Sequence, residues 1–224
     1  MKIVFVSGHY PSDTPFAIAT HKGFENYTAR HGYGFFYDDS VPESKEMHEL
    51  HYRRCVSLDK ASRVFLDAKW FVWVDSDVFV NRPDIRLESC IDLSNPHYLY
   101  HLFHEKPWEF PINTGVKIVN RDAIVMEKEI YNLRNTPPWN QFPYEQKAVA
   151  EYLLPKIGGY YKIHDPYILN YILHQPETKL KYDPKNAVFI HMCTRTTNQR
   201  NKIMDVFETE HRILTDNELS MIKE

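Results

Sequence analysis

The run Trp70-Phe71-Val72-Trp73-Val74, followed at once by Asp75-Ser76-Asp77 and then Val78-Phe79-Val80, constrains this chain more than any other stretch. Aromatic and β-branched residues fill consecutive positions, the pattern of a strand buried on both faces. Two carboxylates therefore stand at the mouth of a buried strand. In an extended chain, residues two apart share a face, so a strand continuing through Ser76 turns Asp75 and Asp77 toward one ligand. Neighbouring carboxylates repel, and burying them unpaired is costly. A divalent cation relieves both problems, and hard oxygen ligands suit Mn2+ or Mg2+.

What surrounds that mouth is one globular unit. A chain of 224 residues with 43% hydrophobic content can bury one substantial core, so the expectation is a single domain over residues 1–224, its core spanning about 1–202 and helices over 198–224 closing it. The balance of 27 basic against 30 acidic side chains makes no electrostatic case for nucleic acid or an anionic membrane. Cys55, Cys90 and Cys193 are odd in number and widely spaced, which points to a reducing compartment without a disulfide framework. The start MKIVFVSGHY lacks the basic and apolar regions of a leader, and no run approaches the roughly eighteen apolar residues of a membrane span. A soluble, cytoplasmic protein is expected. Aromatic content of 14% suits stacking on sugar rings or bases and core packing alike.

Residues 2–7 form a first strand ending in Ser7-Gly8, with no glycine-rich phosphate fingerprint behind it. Residues 16–30 read as a helix closed by Gly32, which suits a left-handed cap, and residues 34–37 as a second strand ending at Asp38-Asp39. Residues 45–68 carry a helical stripe of Cys55, Leu58, Ala61 or Ser62, and Phe65. Arg53 and Lys60 lie seven apart on one face, suited either to an anion or to solvent. The strand before Asp75 then completes a parallel β-α-β-α-β series, whose ligands gather beyond the carboxyl ends of the strands. That edge is where Ser7, Asp38 and Asp75 emerge. A nucleotide placed by this rule lies over the ends of the first two strands, touched by Ser7, Tyr10 and Asp38, with Arg53 or Lys60 reaching from the next helix.

Further strands fall at 97–103, at 111–119 with a polar, flexible entrance that holds Asn113-Thr114, and at 187–190 with His191 directly after. Asn113 and Thr114 offer the donors and acceptors that hydroxyl-rich ligands need. Helices fall at 122–133, 144–153, 198–210 and 217–223, the last opened by the capping-box spacing Thr215-x-x-Glu218. Glu145 and Gln146 lie in the first turn of the second of these, where a carboxylate is comfortable on electrostatic grounds alone.

Taken together, these stretches resemble the GT-A glycosyltransferases of the galactosyltransferase and xylosyltransferase group that build plant xyloglucan and yeast mannan. Val6-Ser7-Gly8-His9-Tyr10-Pro11 resembles that family's first strand and turn, and Tyr27, His31-Gly32-Tyr33 and Phe36-Tyr37 resemble its helix into a second strand. Trp73-Val74-Asp75-Ser76-Asp77 is similar to its aspartate-x-aspartate motif, Asn113-Thr114-Gly115 with Asn120-Arg121 to its donor-side strand, and Glu145-Gln146 to an acidic-Gln pair. Phe189-Ile190-His191 resembles its late metal-binding histidine. The correspondence is ordered and spans residues 3–202.

The resemblance implies a mostly parallel α/β fold and metal-dependent transfer of a sugar from a nucleotide diphosphate, usually UDP, to a glycan or glycoprotein acceptor, with retention. By match of position, Asp75, Asp77 and His191 hold Mn2+ or Mg2+. Val6, Ser7, Gly8, Tyr10, Asp38, Arg53, Lys60, Ser76, Asn113, Thr114 and Arg195 make up the expected donor-binding set, and Glu145 or Gln146 is expected beside the reacting carbon. Arg195 or Lys202 adds positive charge for the diphosphate, and loops at Trp108 and Pro137-Pro138-Trp139 are candidate lids. Two departures stand out. Cys193-Thr194-Arg195 lies where the family carries a glycine and then a lysine, and Tyr144 precedes Glu145 where many relatives have a second acid. Relatives are also anchored in the Golgi, whereas this chain resembles the soluble, virus-encoded branch that decorates capsid glycans.

Two other readings share the same motif. Asp75-Ser76-Asp77-Val78 after an apolar strand also fits the nucleophile motif of haloacid-dehalogenase-type phosphatases, although that motif usually opens a chain and is followed by a later acidic cluster. A non-catalytic sugar or nucleotide binding module is the other.

Overall fold

The computed structural model describes residues 2–42, 44–105, 111–173 and 183–222. The chain opens with β1 (Lys2–Gly8), α1 (Pro15–His31), β2 (Gly34–Asp38), α2 (Met47–Val64) and β3 (Ala68–Val74). A short β4 (Val78–Val80) and α3 (Leu87–Cys90) lead to β5 (Tyr100–Phe103) and β6 (Asn113–Asn120). Then follow α4 (Ile124–Asn132), α5 (Glu145–Ala148), α6 (Leu154–Ile157) and β7 (Tyr161–His164). The chain closes with β8 (Tyr171–Ile172), β9 (Phe189–His191), α7 (Thr197–Glu210) and α8 (Asp216–Ser220).

Six strands form one sheet in the order β2-β1-β3-β6-β5-β7, and a smaller sheet runs β4-β9-β8. β1 pairs in parallel with both β2 and β3, so the expected β-α-β-α-β unit is present, with β3 well inside the sheet. β6 lies antiparallel to β3 and β5, and β7 returns parallel to β5. The large sheet is therefore mixed, with β6 running against the other five.

Alternation along the central strands feeds two cores. Phe71 and Trp73 of β3, with Val4 and Val6 of β1, pack under α2 against Tyr52, Cys55, Leu58 and Ala61. Trp70, Val72 and Val74, with Ile3 and Phe5, face the opposite side and meet Phe24 and Tyr27 of α1. A third cluster joins α1, the small sheet and α7 through Phe16, Phe79, Ile190 and Ile203. Strand residues two apart thus share a core, and neighbours serve different ones.

The apolar run at 70–80 is not one strand. It breaks at Asp75-Ser76-Asp77, where Val78 N–H donates to Asp75 O at 2.9 Å, and the chain crosses from the large sheet to the small one. Other elements satisfy this crossing backbone. Asp75 N–H donates to Gly115 O at 2.7 Å, Met192 N–H to Asp77 O at 2.9 Å, and the Thr20 hydroxyl of α1 to Ser76 O at 2.7 Å.

Other boundaries follow local chemistry. Gly32 caps α1 in the left-handed conformation at φ 73°, as its sequence position suggested. The capping box at Thr215 and Glu218 is formed, and a second one, Thr196 with Gln199, opens α7. The helix beginning at Glu145 outruns its expected end at residue 153: a π-helical turn (Val149–Leu153) carries it into α6, closed by Gly158. Residues 137–139 are pinned, because the Tyr52 hydroxyl donates to Trp139 O at 3.0 Å, while Trp108 lies outside the described residues.

Beneath this helix lies a fully buried ionic cluster. Lys117 of β6 donates to Glu127 at 2.8 Å and Glu145 at 2.7 Å, all three side chains being 0% exposed. Burial alone would lower the lysine's affinity for its proton, but Glu127 and Glu145 push its pKa well above the ordinary value. Removing one member of such a cluster strands the others, a loss of about 3–5 kcal/mol. Urea unfolding of Lys117→Met is expected to show a destabilisation of that size, with the slope of the transition unchanged.

Candidate functional site

β1, β2 and β3 end at one edge of the sheet, and a cavity of about 350 Å³ opens there. Gly8, His9 and Tyr10 line it from the end of β1, Arg53 and Arg54 from α2, and Asp75, Ser76 and Asp77 from the crossing between sheets. Arg200 of α7 closes the far side.

His191 stands at the end of β9, paired with Val78 of β4, which brings it to the crossing. One ligand atom from each of Asp75, Asp77 and His191 falls within 4.8 Å of the others. His191 Nε2 lies 3.2 Å from Asp77 Oδ1, and its Nδ1 lies 3.1 Å from Asn170 Oδ1. The ring packs against Gly115: a Cβ added there would sit 2.1 Å from His191 Cε1. Glycine in the Asn113-Thr114-Gly115 stretch thus has a packing cause.

The carboxylates are compensated by protein cations. Arg54 Nη2 sits 3.2 Å from Asp75 Oδ1, and the Trp73 indole N–H donates to the same oxygen at 2.6 Å. Arg200 Nη2 holds Asp77 Oδ2 at 2.8 Å. Burial raises the Asp75 carboxyl against the pull of Arg54, with Asp77 adding to the rise. For Asp77, burial is overcome by His191 and Arg200, which hold its carboxyl well below the usual range. His191 moves the opposite way: burial would lower its pKa, and Asp77 raises it above the ordinary value. The opposite shifts of Asp77 and His191 are two sides of one attraction.

Two carboxylates and one imidazole converging at an open cavity fit a divalent cation. A second grouping, Cys55, Glu127 and Glu145, is equally tight but does not fit, because the Lys117 ammonium already bonds both carboxylates.

Apart from Asn113, Thr114 and Arg195, the expected donor-binding residues divide into three sets. Gly8, Tyr10, Arg53 and Ser76 line the cavity. Val6 and Ser7 are buried below it. Asp38 and Lys60 line a neighbouring cavity of about 280 Å³, with Arg53 on the wall of both. Asp38 is held by Ser57 at 2.7 Å, by Ser40 at 2.6 Å and by Lys60 at 3.1 Å. Burial would raise its pKa, yet these bonds and Arg53 bring it down to about 2.

Other expectations are altered. Asn113 and Thr114 are no flexible entrance; both are buried in β6 and already bonded. The Thr114 hydroxyl donates to Glu145 at 2.8 Å and accepts from Arg54 at 2.6 Å, because β6 runs directly over the ionic cluster. Glu145 is sealed, with one oxygen on Lys117 and the other on Thr114 and Arg54. Gln146 is half-buried, accepting from Thr114 N–H at 3.3 Å and donating to Glu105 at 2.6 Å. Arg195 is not among the residues lining either cavity, and its Nε is buried without a partner among the described residues. Lys202 pairs with Asp205 at 2.7 Å on the surface; the cation this helix brings to the cavity is Arg200, two positions earlier.

Arg54, Arg200, Glu105 and Asn170 were not singled out in the sequence. For Arg54 a signal existed: it falls between Leu50 and Leu58 at helical spacing, and an arginine on an inward stripe needs a buried anion. Glu105 and Asn170 carried none, since Gln146 and His191, which they bind, lie 41 and 21 residues away.

A parallel βαβ unit with an acid pair at its carboxyl edge is the arrangement that the resemblance to GT-A glycosyltransferases implies. A sequence profile of the galactosyl transferase GMA12/MNN10 family matches residues 3–132, and this chain belongs to that family. Asp75 and Asp77 lie inside the matched span, Glu145 and His191 beyond it. Among solved structures, the chain is similar to a glycosyltransferase involved in the glycosylation of the major capsid of PBCV-1: 45% identity, TM-score 0.87, covering 92% of this chain and 100% of that one. This likeness falls in the virus-encoded branch. GlyE of Streptococcus pneumoniae TIGR4 is 13% identical with a TM-score of 0.53, covering 85% of this chain and 54% of that chain, and supports the fold alone. No curated protein matches the chain. Family membership removes the phosphatase reading. Among the described residues, no helix is long and apolar enough to cross a membrane.

The contact between Gly115 and His191 can be tested directly. Gly115→Ala should displace the imidazole and weaken Mn2+ binding by about tenfold or more, the scale on which groups that orient a ligand matter. Calorimetric titration with Mn2+ beside a thermal melt separates this from general unfolding.

Proposed function

We propose that the chain, acting as one domain, transfers a sugar from a nucleotide diphosphate, UDP, to a hydroxyl of a glycan, with a divalent cation on Asp75, Asp77 and His191 and with retention at the anomeric carbon. The observation that carries this is the convergence of these three side chains at the carboxyl edge of the parallel strands, beside a cavity lined by Arg53, Arg54 and Arg200. Mn2+ suits a set of two carboxylates and one imidazole, with Mg2+ the alternative. The PBCV-1 relative supports a capsid glycan as acceptor. The free state of Cys55, Cys90 and Cys193 is in keeping with a reducing cytoplasm.

When bound, the cation stabilises the charge that develops on the departing diphosphate. The chain's own residues do the rest. Arg200 and Arg54, which pair with the two aspartates, hold positive charge at the wall where that diphosphate lies. Tyr10 and Arg53 face the nucleotide end, and the adjoining cavity at Asp38 and Lys60 receives the base and ribose. Of the pair Glu145 and Gln146, the amide stands beside the reacting carbon. Glu145, with both oxygens engaged, holds Arg54 and Thr114 in place behind it. An amide oxygen there steadies the positive charge that builds on the sugar as the bond to phosphate breaks.

Two variants test the reading. Asp77→Ala should abolish Mn2+-dependent binding of UDP in calorimetry with the fold intact, and undiminished binding would show the cation to lie elsewhere. Gln146→Ala should lower turnover at least tenfold more than donor affinity, measured by release of UDP from UDP-sugars with the acceptor present. Equal losses in both would return the amide to a binding role.

A further inference from the structure

Behind His191 runs a chain of hydrogen bonds whose direction is set at a backbone group. Gly115 N–H can only donate, and it lies 2.9 Å from Asn113 Oδ1, so that atom is the amide oxygen. Asn170 approaches the same oxygen at 3.0 Å and must do so with its NH2 group. The other end of that planar amide, Oδ1, is then what faces His191 Nδ1 at 3.1 Å. A carbonyl oxygen has no proton to give, so Nδ1 must carry one. The lone pair that an uncharged imidazole offers is left on Nε2, the nitrogen beside Asp77.

The backbone N–H decides each amide orientation in turn. The residues are also shut away from competing water: Asn170 is 0% exposed, His191 2% and Asn113 5%. The same logic holds at the far end. Thr114 N–H fixes the oxygen of Gln146, whose NH2 group donates to Glu105, and Asn113 Nδ2 reaches that carboxylate's other oxygen at 3.4 Å. One hydrogen-bonded chain therefore runs from His191 through Asn170, Asn113 and Glu105 to Gln146.

We propose that Asn170 is a positioning residue of the cation site: its carbonyl oxygen holds the proton of His191 on Nδ1 and so dedicates Nε2 to a divalent cation. This rests on the reading of Asp75, Asp77 and His191 as a cation site. Asn170 touches neither cation nor sugar, and it acts through the ring it orients. Without it the imidazole is free to rotate or to place its proton on Nε2, and either change removes a ligand. Partners of this kind behind a ligating histidine are worth about 10- to 100-fold in metal affinity.

The test uses the full chain with Mn2+ as the probe, titrated by calorimetry against wild type, His191→Ala, Asn170→Leu and Asn170→Asp. Asn170→Leu is expected to bind Mn2+ about 10- to 100-fold more weakly, while Asn170→Asp, which keeps an acceptor for the Nδ1 proton but loses the donor to Asn113 Oδ1, is expected to lose less than Asn170→Leu. Unchanged affinity in a folded Asn170→Leu protein overturns the proposal. Should that variant fail to fold, long-range 15N–1H correlation of the wild-type histidines at alkaline pH decides. His191 is assigned by loss of its signals in His191→Ala; a proton on Nδ1 supports the inference, and one on Nε2 overturns it. Full Mn2+ affinity in His191→Ala would instead overturn the cation site itself, an outcome distinct from loss of the asparagine's role alone.

Discussion

A buried guanidinium ties the reactive edge of this protein to its core. Arg54 is only 8% exposed, and it reaches Asp75 at the cavity with Nη2 and Glu145 in the interior with Nη1, 3.3 Å away. Glu145 in turn shares Lys117 with Glu127. Buried charges are tolerated only when paired and hydrogen-bonded, so each member of this chain specifies the position of the next. Arginine is suited to the central place because its planar fork spans two anions at once and keeps its charge under burial. Asp75 is thus positioned by the packing of α2, α5 and β6 as well as by the strand it ends.

A second constraint is the passage of the chain between two sheets. Asp75-Ser76-Asp77 is the joint, and its backbone groups bond to β6, α1 and the residue after β9 in place of a neighbouring strand. The backbone at this joint leaves the strand ladder, and its three side chains line the cavity. β9 pairs with β4 immediately beyond the joint, which carries His191 from far along the chain to the same point. Gly115 completes the arrangement by leaving room for the ring. Close approach of backbone to a side chain is one of the few tasks that only glycine performs without cost to packing.

Likeness to the PBCV-1 glycosyltransferase extends over 92% of the chain, so the resemblance is one of whole architecture as well as of motif. One departure from the family pattern is visible in the backbone. Thr194 takes φ 66°, a left-handed conformation that a β-branched residue adopts at a cost of about 1–3 kcal/mol. It lies in the segment after His191, where the family resemblance implies a glycine, the residue that takes this conformation without that cost. Arg200, further along α7, supplies positive charge at the cavity on this side.

The parallel opening of the fold, the two-faced burial of β3 and the acid pair Asp75 and Asp77 at its end were legible in the residues alone, whereas the grouping of His191 with that pair came from the family resemblance. The first three each rest on a local signal: period-two alternation, a cap glycine, or a polar residue directly after an apolar strand. The break after Val74 was not legible, because an apolar run reads alike whether it stays in one sheet or crosses to a second. Nor was the fate of Asn113, Thr114 and Glu145, which read as ligand-facing groups: Arg54 and Lys117 draw Thr114 and Glu145 inward, and Gly115 N–H and Asn170 engage Asn113. Arg200, Glu105 and Asn170 were visible only in three dimensions. Pattern along a chain reports the burial a residue seeks, whereas the partner of a buried charge or amide is chosen by segments that meet after folding. The sequence by itself determined the parallel opening of the sheet and where its carboxylates emerge, and only the tertiary structure decided which groups neutralise them, because that choice is made across contacts of 21 to 123 residues' separation, from Arg54 with Asp75 to Asp77 with Arg200.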